Sequence, residues 1–67
     1  MNKAIRDKYL EAGYQSMAGL NEAEAYKRLI EVQNRAVRNP SDIEIEWIAM
    51  GCASAYSDMK AASAFNQ

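Results

Sequence analysis

The chain has 67 residues, of which 49% are hydrophobic and 25% charged, and its formal net charge is −1. It contains one cysteine and no histidine, which excludes an internal disulfide and a Cys/His zinc site. The near balance of 8 basic and 9 acidic residues gives no overall attraction to nucleic acid or to an anionic membrane.

Two breaks in the pattern, at Gly19 and at Pro40, divide the chain into three predicted helices. Strand signals are weak, because β-branched residues are few. We therefore predict one all-α domain covering residues 1–67, with helices at about 3–18, 22–38 and 42–65.

The first predicted helix has a broad apolar band that Arg6 interrupts. Gly13 lowers helix propensity by about 1 kcal/mol relative to Ala, so we expect this helix to fray. Gly19 suits the left-handed conformation that often follows a helix end. The charged N-terminal segment does not resemble a signal peptide, and no apolar run approaches the ~20 residues that span a bilayer. We expect a cytoplasmic protein that does not contact membranes.

The second predicted helix has the clearest amphipathic pattern. Asn21 is a good N-cap, and Glu24 is placed to complete a capping box. Glu24 with Arg28, and Glu31 with Arg35, are i,i+4 pairs in the favourable order. The apolar face of this helix is predicted to contain Ala25, Tyr26, Leu29, Ile30, Gln33, Ala36 and Val37.

The third predicted helix begins with Ser41 as N-cap and Glu44 as its capping-box partner. Its apolar seam follows the 3,4 spacing of a heptad repeat, and a second apolar patch lies roughly 140° away around the helix. The seam consists of Ile45, Ile48, Cys52, Ala55, Met59 and Ala62, and the second patch of Ile43, Trp47 and Met50.

A helix with two separated apolar faces needs two neighbours, and a chain this short buries only about 60% of its unfolded surface. We expect a helical hairpin to cover one face and a second subunit the other. The predicted fold is a helical hairpin plus a long C-terminal third helix, paired into a dimeric helical bundle. The predicted interface with a second copy or a partner protein consists of Ile45, Trp47, Ile48, Cys52, Ala55, Tyr56 and Met59. Trp47 and its patch are equally able to pack on the first helix.

Catalytic groups are not evident in the sequence. Without histidine the commonest general base is missing, and Cys52 has no imidazole to activate it. Glu44 and Glu46, two residues apart on a helix, point in different directions. We expect no enzymatic activity, no metal and no cofactor. Cys52 is expected to be a small core residue, with an intermolecular disulfide or thiol switch as the alternative.

A nucleic-acid-binding module is the rival prediction. The second and third helices have the outline of a helix-turn-helix, but its recognition helix would begin Asp-Ile-Glu-Ile-Glu, which phosphates repel. The candidate phosphate contacts on the second helix alternate with Glu24 and Glu31, as expected of a solvated face. These candidates are Lys27, Arg28, Arg35 and Arg38.

Two resemblances bear on function. The segment Ser41–Ile45 resembles the start of the third helix of the Hha/YmoA family, small helical modulators that act through the nucleoid protein H-NS. The resemblance stops at 52–56, where that family shows Ala-Asp-His-Arg-Leu and this chain has Cys-Ala-Ser-Ala-Tyr. The segments Met1–Tyr14 and Asn39–Met50 resemble the helical accessory proteins of the early regions of lambda-like phages. That likeness implies a non-enzymatic, phage-encoded modulator of the host or of phage development, in the bacterial cytoplasm.

The sequence therefore favours a small regulatory protein that acts as a homodimer by binding another protein. The identity of that protein partner is not indicated. The alternative is a helix-turn-helix-like, nucleic-acid-binding or nucleoid-associated modulator.

Overall fold

The computed structural model describes residues 3–65, which form three α-helices and no strand. Helix α1 covers Lys3–Gln15, α2 covers Glu22–Arg38 and α3 covers Ile43–Phe65. The all-α prediction is confirmed, and α3 is one continuous helix. The ends of the predicted domain, residues 1 and 67, lie outside the described residues.

Helix α3 lies between the other two helices. Both α1 and α2 pack on α3, whereas within residues 3–65 they make no close backbone approach to each other. Tyr9 stacks on Trp47 and Tyr14 bonds to Asp58, so α1 runs in the same direction as α3. The predicted hairpin of the first two helices does not form by direct packing, because each of them occupies a different side of α3.

The crossing of α1 over α3 depends on two glycines. A Cβ atom placed on Gly13 would overlap the carbonyl oxygen of Ile48, and one on Gly51 would overlap that of Leu10. Only glycine permits backbones to approach this closely. Gly13, which was expected to weaken α1, is therefore one of the residues that allow α1 to pack against α3.

Helix α1 ends at Gln15, three residues earlier than predicted. The carbonyl of Gly13 accepts hydrogen bonds from the Ser16 hydroxyl at 2.7 Å and from the Cys52 thiol at 3.3 Å. The Met17 N–H instead bonds to the carbonyl of Tyr14 at 3.2 Å, which tightens the chain into a turn. Gly19 completes this turn with φ of 81°, the left-handed conformation that the sequence predicts.

The N-cap of α2 agrees with the sequence prediction, and that of α3 differs from it by one residue. The capping box of Asn21 and Glu24 forms in both directions, at 2.8 and 3.0 Å, and α2 has the predicted bounds. For α3 the cap is Asp42 rather than Ser41, because Asp42 Oδ1 accepts from the Ile45 N–H at 3.3 Å. An aspartate next to a serine is an equally good cap, and local pattern does not decide between them.

The core lies where the end of α1, the start of α2 and the middle of α3 meet. It is formed by Met17, Ala25, Leu29, Cys52 and Ala55. The molecule measures 41 × 25 × 16 Å, with a radius of gyration of 12.4 Å. A compact chain of this length has a radius of about 10.9 Å. The small core and the elongated shape go together, since α3 extends past the helices that cover it.

Candidate functional site

The predicted interface residues are all at least partly covered within the chain. Trp47, Cys52 and Ala55 are buried, and Ile45, Ile48, Tyr56 and Met59 are half-buried. Cys52 and Ala55 belong to the core cluster, and Ile48, Tyr56 and Met59 pack against it. An interface made mainly of these side chains would require the helices to separate, because most of their surface is already covered within the chain.

Trp47, one of the predicted interface residues, packs against another helix of the same chain. Its ring lies 6.2 Å from that of Tyr9 with an interplanar angle of 29°, and only 7% of Trp47 is exposed. Of the two readings left open by the sequence, the structure therefore shows packing on the first helix. The other members of that patch, Ile43 and Met50, stay 40% and 50% exposed.

Two tyrosines of α1 interact with carboxylates of α3. Tyr14 Oη donates to Asp58 Oδ2 at 2.5 Å. The hydrogen bond to Asp58 and the negative charge of that group raise the pKa of Tyr14 above its usual value. A hydrogen bond to Glu44 and its charge likewise raise the pKa of Tyr9. Both tyrosines fix α1 on α3, and we assign them a structural role.

The lone thiol is structural as well. Cys52 is buried, its Sγ lies 3.6 Å from Ser16 Oγ, and it caps the carbonyl of Gly13. In this position it is not accessible to a cysteine of another chain. Among the described residues, no group of three or more Cys, Asp or Glu side chains is arranged to hold a metal ion.

The four candidate phosphate contacts, Lys27, Arg28, Arg35 and Arg38, are all exposed on α2. The predicted pairs of Glu24 with Arg28 and of Glu31 with Arg35 are not formed, since no ion pair within 4.0 Å joins them in the described chain. The Glu24 carboxylate instead accepts from the Asn21 N–H in the capping box.

Helix α2 has two apolar faces, of which only one is covered. The face against α3 contains the buried Ala25 and Leu29. The second face is a row of large side chains that remain exposed: Tyr26 at 53%, Ile30 at 37% and Val37 at 78%. With the exposed Ala23 and Gln33, these residues repeat every 3 and 4 positions, at 23, 26, 30, 33 and 37.

The sequence did not indicate this row separately, because the whole apolar arc of α2 was predicted to form one face. Tyr26, Ile30 and Val37 are spaced 4 and 7 residues apart, and with Gln33 they follow the 3,4 repeat that was the available signal. The same repeat predicts the apolar seam of α3.

A groove of about 610 Å³ runs along the boundary of α2 and α3 beside this row. Its α2 side includes Gln33 and Val37, and its α3 side includes Glu46 and Ala49. Farther along the same boundary, the rings of Tyr26 and Tyr56 lie 5.8 Å apart. The groove is open, and its lining combines the apolar side chains of Ala36, Val37 and Ala49 with polar ones such as Gln33 and Glu46. Such an open, elongated shape suits a helix better than a small enclosed ligand.

No protein-family model, no curated protein and no solved structure matches the chain significantly. Within residues 3–65, none of the three helices is both long enough and apolar enough to span a membrane.

Proposed function

We propose that this protein is a small regulatory protein without catalytic activity that acts as a homodimer by binding another protein. The observation that carries the proposal is the uncovered apolar row of Tyr26, Ile30 and Val37 beside an open groove. Contiguous exposed apolar surface of this kind marks interaction sites in proteins that are otherwise well folded.

The extent of the surface supports a dimer. The chain exposes 4888 Å² for a mass of 7.5 kDa. A compact monomer of this mass exposes about 4,250 Å², so the excess is on the order of 600 Å². A standard interface buries about 800 Å² of each partner, which is comparable.

Sedimentation equilibrium tests the dimer. At roughly 100 μM we expect a mass twice that of the chain, falling toward the monomer mass on dilution. A single species of 7.5 kDa at that concentration would contradict the proposal.

The resemblance to accessory proteins of lambda-like phages adds a context to the proposal. It implies a phage-encoded modulator in the cytoplasm of a bacterial host, with a host or phage protein as its partner. Affinity capture from lysates of infected and uninfected cells, with an Ile30→Glu variant as the control, would identify that partner.

Nucleic-acid binding is the second candidate, and one observation favours it. Lys27, Arg28, Arg35 and Arg38 are exposed without the carboxylate pairs that the sequence predicted for two of them. A salt-dependent shift of duplex DNA that Arg35→Ala with Arg38→Ala abolishes would support this function. No shift at low salt would exclude it.

A further inference from the structure

The exposed row of α2 and one side of α3 form a single surface. We call it the open flank and define it by Tyr26, Ile30, Gln33 and Val37 on α2 and by Glu46, Met50, Ala53, Ser57 and Lys60 on α3. The groove between Val37 and Glu46 and the ring contact of Tyr26 with Tyr56 join the two halves. Of these nine residues only Ala53 is half-buried, and the others are exposed.

The α3 half of the open flank has an internal symmetry. Its members are spaced 4, 3, 4 and 3, which is the repeat of a seam that packs against another helix. Ala53 is the middle residue. Glu46 and Lys60 lie at equal distances on either side of it, two helical turns away in each direction. The members of the open flank between these opposite charges on α3, which are Met50, Ala53 and Ser57, are uncharged.

The α2 half and the α3 half of the open flank have their central residues at the same level along the helix axes. Glu22 lies 3.7 Å from Lys60, and the ring of Tyr26 contacts that of Tyr56 at a tilt of 50°, so α2 runs antiparallel to α3. Continuing this register places Ile30 beside Ala53 to within about one residue. Ile30 is also the central residue of α2.

We propose that a second copy of this chain docks on the open flank in antiparallel orientation, about a two-fold axis that passes near Ile30 and Ala53. Each α3 then lies beside the α3 of the second copy, and Glu46 faces Lys60 of the second copy at both ends. Helices α2 and α3 of the two copies form a four-helix bundle in which every neighbour is antiparallel. Helix α1 stays on the outside.

The occupant is a second copy because the surface complements itself. A two-fold interface must match a patch to the same patch on the other subunit. Opposite charges at equal distances from Ala53 meet this condition in the antiparallel arrangement, whereas a parallel one would bring Glu46 against Glu46. The excess surface of the chain has the size of one side of such an interface.

This inference rests on the proposed homodimer, and two pairs of variants test it separately. Ile30 and Ile5 are both partly exposed isoleucines within helices, at 37% and 48%. We expect Ile30→Glu to weaken the dimer at least tenfold, because it places a charge at the centre of the apolar seam. Ile5→Glu, on α1, should leave the dimer unchanged. Both variants should keep the wild-type helicity, since neither side chain is in the core.

A charge exchange tests the orientation. Glu46→Lys or Lys60→Glu alone places like charges together at both ends of the interface, and we expect the Kd to rise about tenfold. Lys60 also lies 3.7 Å from Glu22 of its own chain, so the exchange is made in a Glu22→Gln background. There the double variant Glu46→Lys with Lys60→Glu should return the Kd to within about threefold of Glu22→Gln alone. Glu31→Lys, the same change on the outer face of α2, is the matched control.

Sedimentation equilibrium distinguishes the possible failures. A wild-type chain that is monomeric at roughly 100 μM contradicts both the proposed dimer and this inference. A dimer that Ile30→Glu does not weaken leaves the proposed dimer intact and contradicts the open flank as its interface. If Ile30→Glu weakens the dimer but the double charge variant does not recover the affinity lost in the single charge variants, the antiparallel arrangement is contradicted.

Discussion

At the scale of single residues, two glycines determine how α1 docks. Gly13 and Gly51 each place backbone where a methyl group would overlap a carbonyl of the facing helix. In an isolated helix, Gly13→Ala would add about 1 kcal/mol of stability through its helix propensity. If Gly13→Ala destabilises the folded protein, the cause is therefore the close contact of α1 with α3, because helix propensity alone would stabilise it.

We expect Gly13→Ala to lower the free energy of unfolding by about 2 kcal/mol, because overpacking against backbone outweighs the gain in propensity. Urea denaturation followed by circular dichroism measures this change. Ser54→Ala, at an exposed position of α3, serves as the control and should change stability by less than about 0.5 kcal/mol. A stabilised Gly13→Ala variant would show that α1 does not cross α3 as described.

The tyrosines of α1 predict a response to alkaline pH. Hydrogen bonds to Glu44 and Asp58 raise the pKa of Tyr9 and Tyr14 above the usual value of 10.0. A group whose pKa is higher in the folded state contributes stability that is complete below its unfolded pKa and is lost as the pH rises through the folded value. The stabilisation should therefore be present at neutral pH and decline above about pH 10.

Denaturation measured between neutral pH and about pH 11 tests this response. The double variant Tyr9→Phe with Tyr14→Phe should show a shallower decline than wild type, and Tyr26→Phe, which changes a tyrosine outside this contact, should decline as wild type does. An unchanged slope in the double variant would contradict the role given to these bonds.

At the scale of the elements, local signals predicted α2 best. Both of its ends agree with the sequence analysis, because Asn21, Glu24 and Pro40 act on residues next to them along the chain. The end of α1 depends on both a local and a distant contact, because the Gly13 carbonyl accepts from Ser16, three positions away, and from Cys52, 39 positions away. The apolar arc of α2 was recognised, but its division into a covered and an uncovered face depends on where α3 lies.

The start of α3 gives a prediction at this scale. Because Asp42 rather than Ser41 accepts from the Ile45 N–H, Asp42→Ala should cost about 1 kcal/mol of stability. Ser41→Ala should be nearly neutral. Thermal unfolding of the two variants compares them directly. A larger loss of stability in Ser41→Ala than in Asp42→Ala would contradict Asp42 as the cap and support the capping box of Ser41 and Glu44 that the sequence predicts.

At the scale of the whole molecule, the main difference from the sequence analysis concerns where the uncovered apolar surface lies. The sequence places it on α3, and a third helix with two apolar faces was indeed found. Helix α2 covers the seam and α1 covers Trp47 of the second face, whereas within the described residues α1 and α2 make no close backbone approach to each other. Exposed apolar surface remains on α3 at Ile43 and Met50, and a further row that the sequence did not indicate lies on α2 at Tyr26, Ile30 and Val37. Pairing with a second copy stays a prediction, and we propose the open flank as its interface in place of the residues that the sequence predicts.

The distance between two copies of one residue tests this arrangement most directly. Phe65 is 90% exposed, so a spin label on Phe65→Cys should not disturb the fold, and the buried Cys52 should stay unlabelled. In the antiparallel dimer centred on Ala53, the two labels are separated by about 36 Å along the bundle and about 40 Å in all. A dipolar distance near that value is the predicted result of a pulsed spin-resonance measurement. A distance of about 20 Å, as parallel helices would give, or no coupling between chains, would contradict the account.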